Sequence, residues 1–289
     1  MMRKVLLVAG MMLVVAACGS KKDTAPPVGS ASLAFNHTKI PLGSPVELTY
    51  RFELLPDQKL GKDYWVMAHF LDANDELMWT DDHKPPVPST QWKPGQAVEY
   101  KRTVFVPLYP YIGEATVTIG LYVPGSNERV PLNGQLVGQR SYRAAKIQLQ
   151  PQTDNIFLAF LDGWHGPEVA SQNQFIEWQW TRKEATIRFR NPRKNATFYL
   201  HYDGMPKMFD APQTATIYVG DAAVDTFQIA SAEEQIRRIP LTAAQFGKDD
   251  MVVARISLDK AFVPAQVTPG SKDNRELGIR VFHAFIEPQ

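Results

Sequence analysis

Apolar residues in this chain return at every second position and almost nowhere at every third or fourth. In VELTYRF, Val46, Leu48, Tyr50 and Phe52 share one face and Glu47, Thr49 and Arg51 the other, the pattern of a strand with one face in a core and one in water. The same alternation runs through YWVMAHFL (64–71), ELMWT (76–80), AVEYKRTVFV (97–106), ATVTIGLYV (115–123) and AAKIQLQ (144–150), with ANDE, WKPGQ and VPGSNE as turns between them. A chain patterned this way must bury sheet against sheet.

Six or seven short strands between residues 33 and 150 predict an antiparallel β-sandwich of immunoglobulin or fibronectin type. After QPQTDN the pattern restarts in NIFLAFLDGW (155–164), IEWQWT (176–181), ATIRFRN, TFYLHY, TATIYVG, MVVARISL and ELGIRVFHAFI, with short helix candidates around SAEEQIRR and TAAQFG. A second sandwich, of jelly-roll kind, is expected over residues 153–289. The fold class is therefore all-β, two consecutive antiparallel sandwiches, and a length of 289 residues with 44% hydrophobic content suffices for two cores.

Ahead of the sandwiches stands MMRKVLLVAGMMLVVAACGS, with Arg3 and Lys4, an uncharged apolar run from Val5 to Ala17, and the only cysteine at Cys18. The run is too short to cross a bilayer comfortably and has the layout of an export signal. Its end, Val15-Ala16-Ala17-Cys18, resembles the lipobox of bacterial lipoproteins. The resemblance implies cleavage after residue 17 and acylation of Cys18, and two or three acyl chains at about 0.8 kcal/mol per buried methylene hold a protein on a membrane. Residues 18–32, small, polar and proline-bearing, are expected to be a flexible tether. Gly19 and Ser20 follow the cysteine, without the aspartate that resembles an inner-membrane retention signal; the localisation expected is a lipid-anchored protein of the cell envelope, on the outer membrane rather than the inner.

Removing residues 1–17 takes away Arg3 and Lys4, leaving 29 basic against 30 acidic side chains. That balance, with no basic-aromatic stripe, argues against a nucleic-acid partner. No cofactor is implied. Disulfides and cysteine nucleophiles are excluded once the single thiol is acylated.

Two groups of residues could carry function. WTDDHKPPVP (79–88) places Asp81, Asp82 and His83 in a row, and His69 on a neighbouring strand could complete a His69–Asp82–His83 metal set. Against that, His69 shares its face with Trp65, Met67 and Leu71, as a core histidine would. The pairs Glu233–Glu234 and Asp249–Asp250 sit among turn and helix signals and are expected to be solvated. The second group is aromatic: Trp79, Trp92, Trp164, Trp178 and Trp180 fall at strand ends or beside turns, where a ring can stack on a sugar or simply close the end of a sandwich. Phosphate-binding, dinucleotide-binding, serine-hydrolase and zinc-protease motifs are not found in the sequence.

DGWHGPE (Gly163, Trp164, Glu168), EWQWT (Trp178, Trp180, Thr181) and DNRELG (Asp273, Arg275, Leu277, Gly278) resemble the β-sandwich domains, similar in part to carbohydrate-binding modules, of uncharacterised bacterial lipoproteins and of the extracytoplasmic ends of membrane glycosyltransferases. AHFLDANDELMWTDDHKPPVP, WKPG and GLY in the first half resemble a companion domain. The resemblance implies an envelope setting and a glycan ligand, and no catalytic residues. In physical terms Asp273 and Arg275 suit pairing or capping where the last strand begins, and Gly278 suits close approach of a neighbour.

Three functions follow as expectations: a non-enzymatic lipoprotein binding a glycan or protein partner, a scaffold using the groove between the sandwiches near residues 144–155, or a metal-assisted hydrolase at His69, Asp82 and His83.

Overall fold

The computed structural model describes residues 25–153, 155–171 and 173–289; Cys18 and the segment expected to be an export signal lie outside the described residues. The first half holds β1 (Gly29–Phe35), β2 (Lys39–Pro41), β3 (Pro45–Leu54), β4 (Trp65–Leu71), β5 (Leu77–Thr80), β6 (Ala97–Phe105), β7 (Gly113–Tyr122), β8 (Gln135–Gly138) and β9 (Ser141–Gln150). One sheet runs β1-β3-β6; the other runs β2-β9-β7-β4-β5 with β8 beside β9. Their facing sides enclose one core that includes Val46, Leu48, Tyr50 and Phe52 from β3 against Val66, Phe70, Val117, Ile119 and Ile147. At about 1.5–3 kcal/mol for each large apolar side chain taken from water, this packing is what holds the sheets together.

The second half holds β10 (Ala159–Phe160), β11 (Glu168–Ala170), β12 (Asn173–Trp180), β13 (Glu184–Arg190), β14 (Ala196–Asp203), β15 (Gln213–Val219), β16 (Ala222–Ile229), β17 (Gln235–Leu241), β18 (Met251–Leu258) and β19 (Arg280–Pro288). Two five-stranded sheets, β10-β13-β18-β15-β16 and β11-β12-β19-β14-β17, close over a second, separate core around Phe189, Phe198, Leu200, Ile217, Ile256 and Ile286. The chain is all-β and built of antiparallel sheets, with the single parallel strand pairing between β2 and β9 among the described residues.

Three sequence expectations need correction. β1 begins at Gly29, inside the segment expected to be a tether, and pairs with β3 along its whole length from Gly29 opposite Leu54 to Phe35 opposite Leu48. NIFLAFLDGW is not one strand: Ile156 and Phe157 take φ of 50° and 56°, which breaks extended geometry and leaves only Ala159–Phe160 paired. SAEEQIRR is not helical: from Gln235 on it pairs with β14 as β17, the edge strand of its sheet, where the missing N–H of Pro240 is tolerated. TAAQFG does turn, as a 3₁₀ segment Ala243–Phe246 started by a reciprocal Thr242–Gln245 capping box.

The chain enters the first sandwich at one end and leaves it at the other. At the entry end, Val28 donates to the Pro131 carbonyl and Leu55 to that of Val28. At the exit end, Leu42 donates to the Gln150 carbonyl, and here the second sandwich docks. Glu47 on β3 pairs with Arg238 on β17 at 2.6 Å. Phe105, the last residue of β6, stacks on His283 of β19 with ring centres 4.5 Å apart and stands edge-on to Tyr199 and Phe285.

Candidate functional site

Residues 81–83 continue alongside β4, with backbone hydrogen bonds in both directions between Val66 and His83 and one from Asp81 to Ala68. Because side chains alternate along extended backbone, Asp81 and His83 turn inward and Asp82 turns the other way. Asp81 accepts from both Nε and Nη2 of Arg102, at 2.9 and 2.7 Å, and from the Tyr50 hydroxyl at 2.8 Å. His83 is buried, with Nδ1 2.8 Å from the Asp81 carbonyl and Nε2 2.7 Å from the Tyr100 hydroxyl. Burial, and then the Arg102 charge, hold its pKa below the ordinary histidine value. Both ring nitrogens are thus committed to protein partners. Asp82 meets His69 at 3.5 Å and accepts from the Ala68 N–H at 3.1 Å, on the opposite side of the strand. His69, Asp82 and His83 therefore do not converge on one point, and no group of three metal-ligating side chains occurs among the described residues.

The tryptophans divide. Trp92 is buried against Phe52 and donates to the Val87 carbonyl. Trp79 stacks on Phe70 at 4.5 Å over the first core. Trp164 donates to the Thr186 carbonyl at 2.8 Å and covers the second core, while Trp180 is buried edge-on to Phe262. These four serve the fold.

The remaining one, Trp178, lines a cleft of about 300 Å³ with Ala170, Ser171, Ile176, Glu234, Arg280 and Phe282. The Trp178 and Phe282 rings are 6.2 Å apart and inclined by 60°, an apolar corner. Arg280 sits over both, 4.9 Å from the centre of Trp178 and 5.5 Å from that of Phe282, and is fixed from beneath by the buried carboxylate of Asp203. Glu234, about half exposed, meets His201 Nε2 at 3.0 Å, and that hydrogen bond holds its pKa below the usual carboxylate value. The expectation of a merely solvated Glu234 is thus corrected. The cleft joins the docking contact through a run of rings, Phe282 to His201 at 4.9 Å, His201 to His283 at 5.4 Å, and His283 to Phe105. Arg280 and Phe282 carry no local signal of a site, because they lie on β19, about a hundred residues from Trp178 in sequence, and Glu234, just ahead of β17, is expected from sequence only to be solvated.

The motif residues of the second half gather as well, but on one another. Arg275 bonds Asp273 and reaches Glu168 at 2.6 Å, and Ile279 N–H donates to Thr181 Oγ1. A Cβ at Gly278 would lie 2.4 Å from Leu258 and 2.5 Å from Thr181, so only glycine fits there. This assembly closes the edge of the sandwich beside β12 and so braces the strand that carries Trp178.

No family model matches the chain, and no curated protein matches it. Among solved structures, the sporulation control protein Spo0M of Bacillus subtilis aligns at a TM-score of 0.29 and 12% identity, over 76% of this chain and 92% of that one. A beta-glucuronidase of Bacteroides uniformis aligns at 0.27 and 9%, over 90% of this chain and 30% of its own. The N-terminal tandem CBM22-1–CBM22-2 of Paenibacillus barcinonensis Xyn10C aligns at 0.26 and 13%, over 86% and 79%. Likenesses of this size carry no argument about function, which rests on the chain's own residues.

Proposed function

We propose that this protein is a non-enzymatic lipoprotein of the bacterial envelope, held on the outer membrane by acylated Cys18, that binds a glycan in the Trp178 cleft. One observation carries the ligand class: two inclined aromatic rings beside a fixed guanidinium and a half-exposed carboxylate, on the outer face of a rigid sheet. Aromatic rings cover the apolar faces of sugars, and a few charged groups at the rim order their hydroxyls. The test is a screen of the purified protein against envelope glycans, repeated with Trp178→Ala, Phe282→Ala and, as a fold-preserving comparison, Leu77→Ala on the other sandwich. Binding is expected to fall about tenfold or more in the first two, equivalent to about 1.4 kcal/mol, and to stay unchanged in the third. Equal binding by all variants sinks the reading.

A second reading, a scaffold that seats an envelope protein between the sandwiches, is favoured by a groove of about 300 Å³ lined by Pro41, Pro45, Thr153, Ile156, Phe285 and Pro288. In-cell crosslinking from position 153 separates the two: a protein adduct there supports the scaffold. The hydrolase reading has no support in the geometry of His69, Asp82 and His83.

A further inference from the structure

The entry end of the first sandwich is unlike the exit end in charge. Three connecting segments form its rim, residues 55–64, 84–96 and 123–140, the last of which includes β8; Lys62 with Glu128 and the Tyr64 N–H with Ser89 join the first to the other two, and Arg129 with the Gln139 carbonyl ties the third to itself. These segments hold Lys59, Lys62, Lys84, Lys93, Arg129 and Arg140 against Asp57, Asp63 and Glu128, six cations to three carboxylates. Exposed apolar side chains, Leu55, Val87, Leu136 and Val137, stand among them, and the Lys84 ammonium lies over the Trp65 ring. The loop 72–76 at the exit end carries Asp72, Asp75 and Glu76 and no cation. The sandwich is therefore polarised along its strands, positive where the chain enters.

Where the chain enters is also where the described structure starts. Ala25 is seven residues after Cys18, so at about 3.3–3.6 Å per residue the rim lies within roughly 25 Å of whatever holds Cys18. We propose that this rim is a contact surface for a lipid bilayer with anionic headgroups, so that the first sandwich stands end-on upon the membrane and the second projects away from it. The mixture of cations with single exposed aliphatic side chains and an interfacial tryptophan suits that boundary, where the charges attract acidic headgroups and the apolar groups enter the acyl margin. The ten residues of β3, at about 3.3 Å each, then set the docking contact and the Trp178 cleft beyond it some 30 Å or more above the lipid. The orientation rests on the Cys18 anchor; the surface itself does not.

The test uses the protein purified from cells, with a spin label at Leu136→Cys on the rim or Val253→Cys on the second sandwich, the wild-type signal subtracted, on vesicles of phosphatidylcholine with or without phosphatidylglycerol. On the anionic vesicles the label at 136 is expected to become at least fivefold less accessible to a water-soluble relaxation agent, and the label at 253 to stay exposed. Lys59→Gln with Lys93→Gln is expected to weaken the attachment about fivefold per cation removed, the factor that corresponds to the surface potential of an acidic leaflet. A label at 136 that stays equally accessible on both vesicle types overturns the proposal, as does equal protection by soluble polyglutamate. Intact mass reads the anchor separately: an unacylated chain with a protected rim removes the anchor and keeps the surface, and an acylated chain with an exposed rim does the reverse.

Discussion

Asp81 shows how one side chain can decide what a sequence motif means. Its carboxylate lies between the sheets of the first sandwich, joined to Arg102 by two hydrogen bonds and to Tyr50 by a third. Burial, and then the neighbouring carboxylate, raise the Tyr50 pKa above its ordinary value, so the hydroxyl stays a donor. Taking away the acid leaves a guanidinium and a hydroxyl without their acceptor, a change that costs about 3–5 kcal/mol for a fully buried pair. Since Arg102 retains 37% side-chain exposure, the lower end applies, and Asp81→Ala is expected to lose about 3 kcal/mol in urea unfolding. Asp82→Ala, which removes a half-buried pair with His69, is expected to lose about 1 kcal/mol. Equal losses would mean that the two acids share one environment.

At the scale of elements, β14 and β19 bring His201 and His283 side by side, Nδ1 to Nδ1 at 3.1 Å, with Glu234 beyond and Phe105 of β6 stacked on top. Burial, and then the adjacent His201, lower the His283 pKa to about 4. Above the ordinary histidine value of about 6.5 neither the folded nor the unfolded chain protonates this ring, and its full contribution to stability is present. As the pH falls from about 6.5 towards 4, the unfolded chain takes up a proton that the folded chain refuses, and stability declines by at most about 3 kcal/mol. Melting temperature measured across that window is expected to fall as the medium acidifies, and His283→Gln to flatten the slope. The same strands illustrate which elements could be read from sequence. MVVARISL is β18 from its first residue to its last, because alternation over eight residues has one reading. AAVDTFQI, which is β16, went unrecognised, since as an edge strand it buries only part of one face.

For the molecule as a whole, what matters is how the sandwiches meet. Phe105, the Glu47–Arg238 pair and the longer His37–Glu287 contact at 3.6 Å all come from the exit end of the first sandwich. An interface of stacked rings and charged pairs permits relative motion once Phe105, the half-buried ring from the first sandwich that meets Tyr199, His201, His283 and Phe285, is removed. Phe105→Ala is therefore expected to raise the radius of gyration in small-angle scattering while leaving the two cores folded. An unchanged radius would place the rigidity in the backbone of the connection instead. The joint matters for function because its ring stack continues into the Trp178 cleft.

The class of fold follows from periodicity, since a period of two can bury apolar side chains only between sheets, and the places of most strands follow with it. The sequence also presented the tryptophans as a set of equal candidates. Long-range packing separates them: exposure is a property of what packs on a ring, and Phe282, Arg280 and Glu234, which make Trp178 the wall of a cleft, lie up to about a hundred residues away in sequence. Likewise the face to which Asp81 or Asp82 turns depends on the register against β4, which distant pairing partners set and no local pattern records.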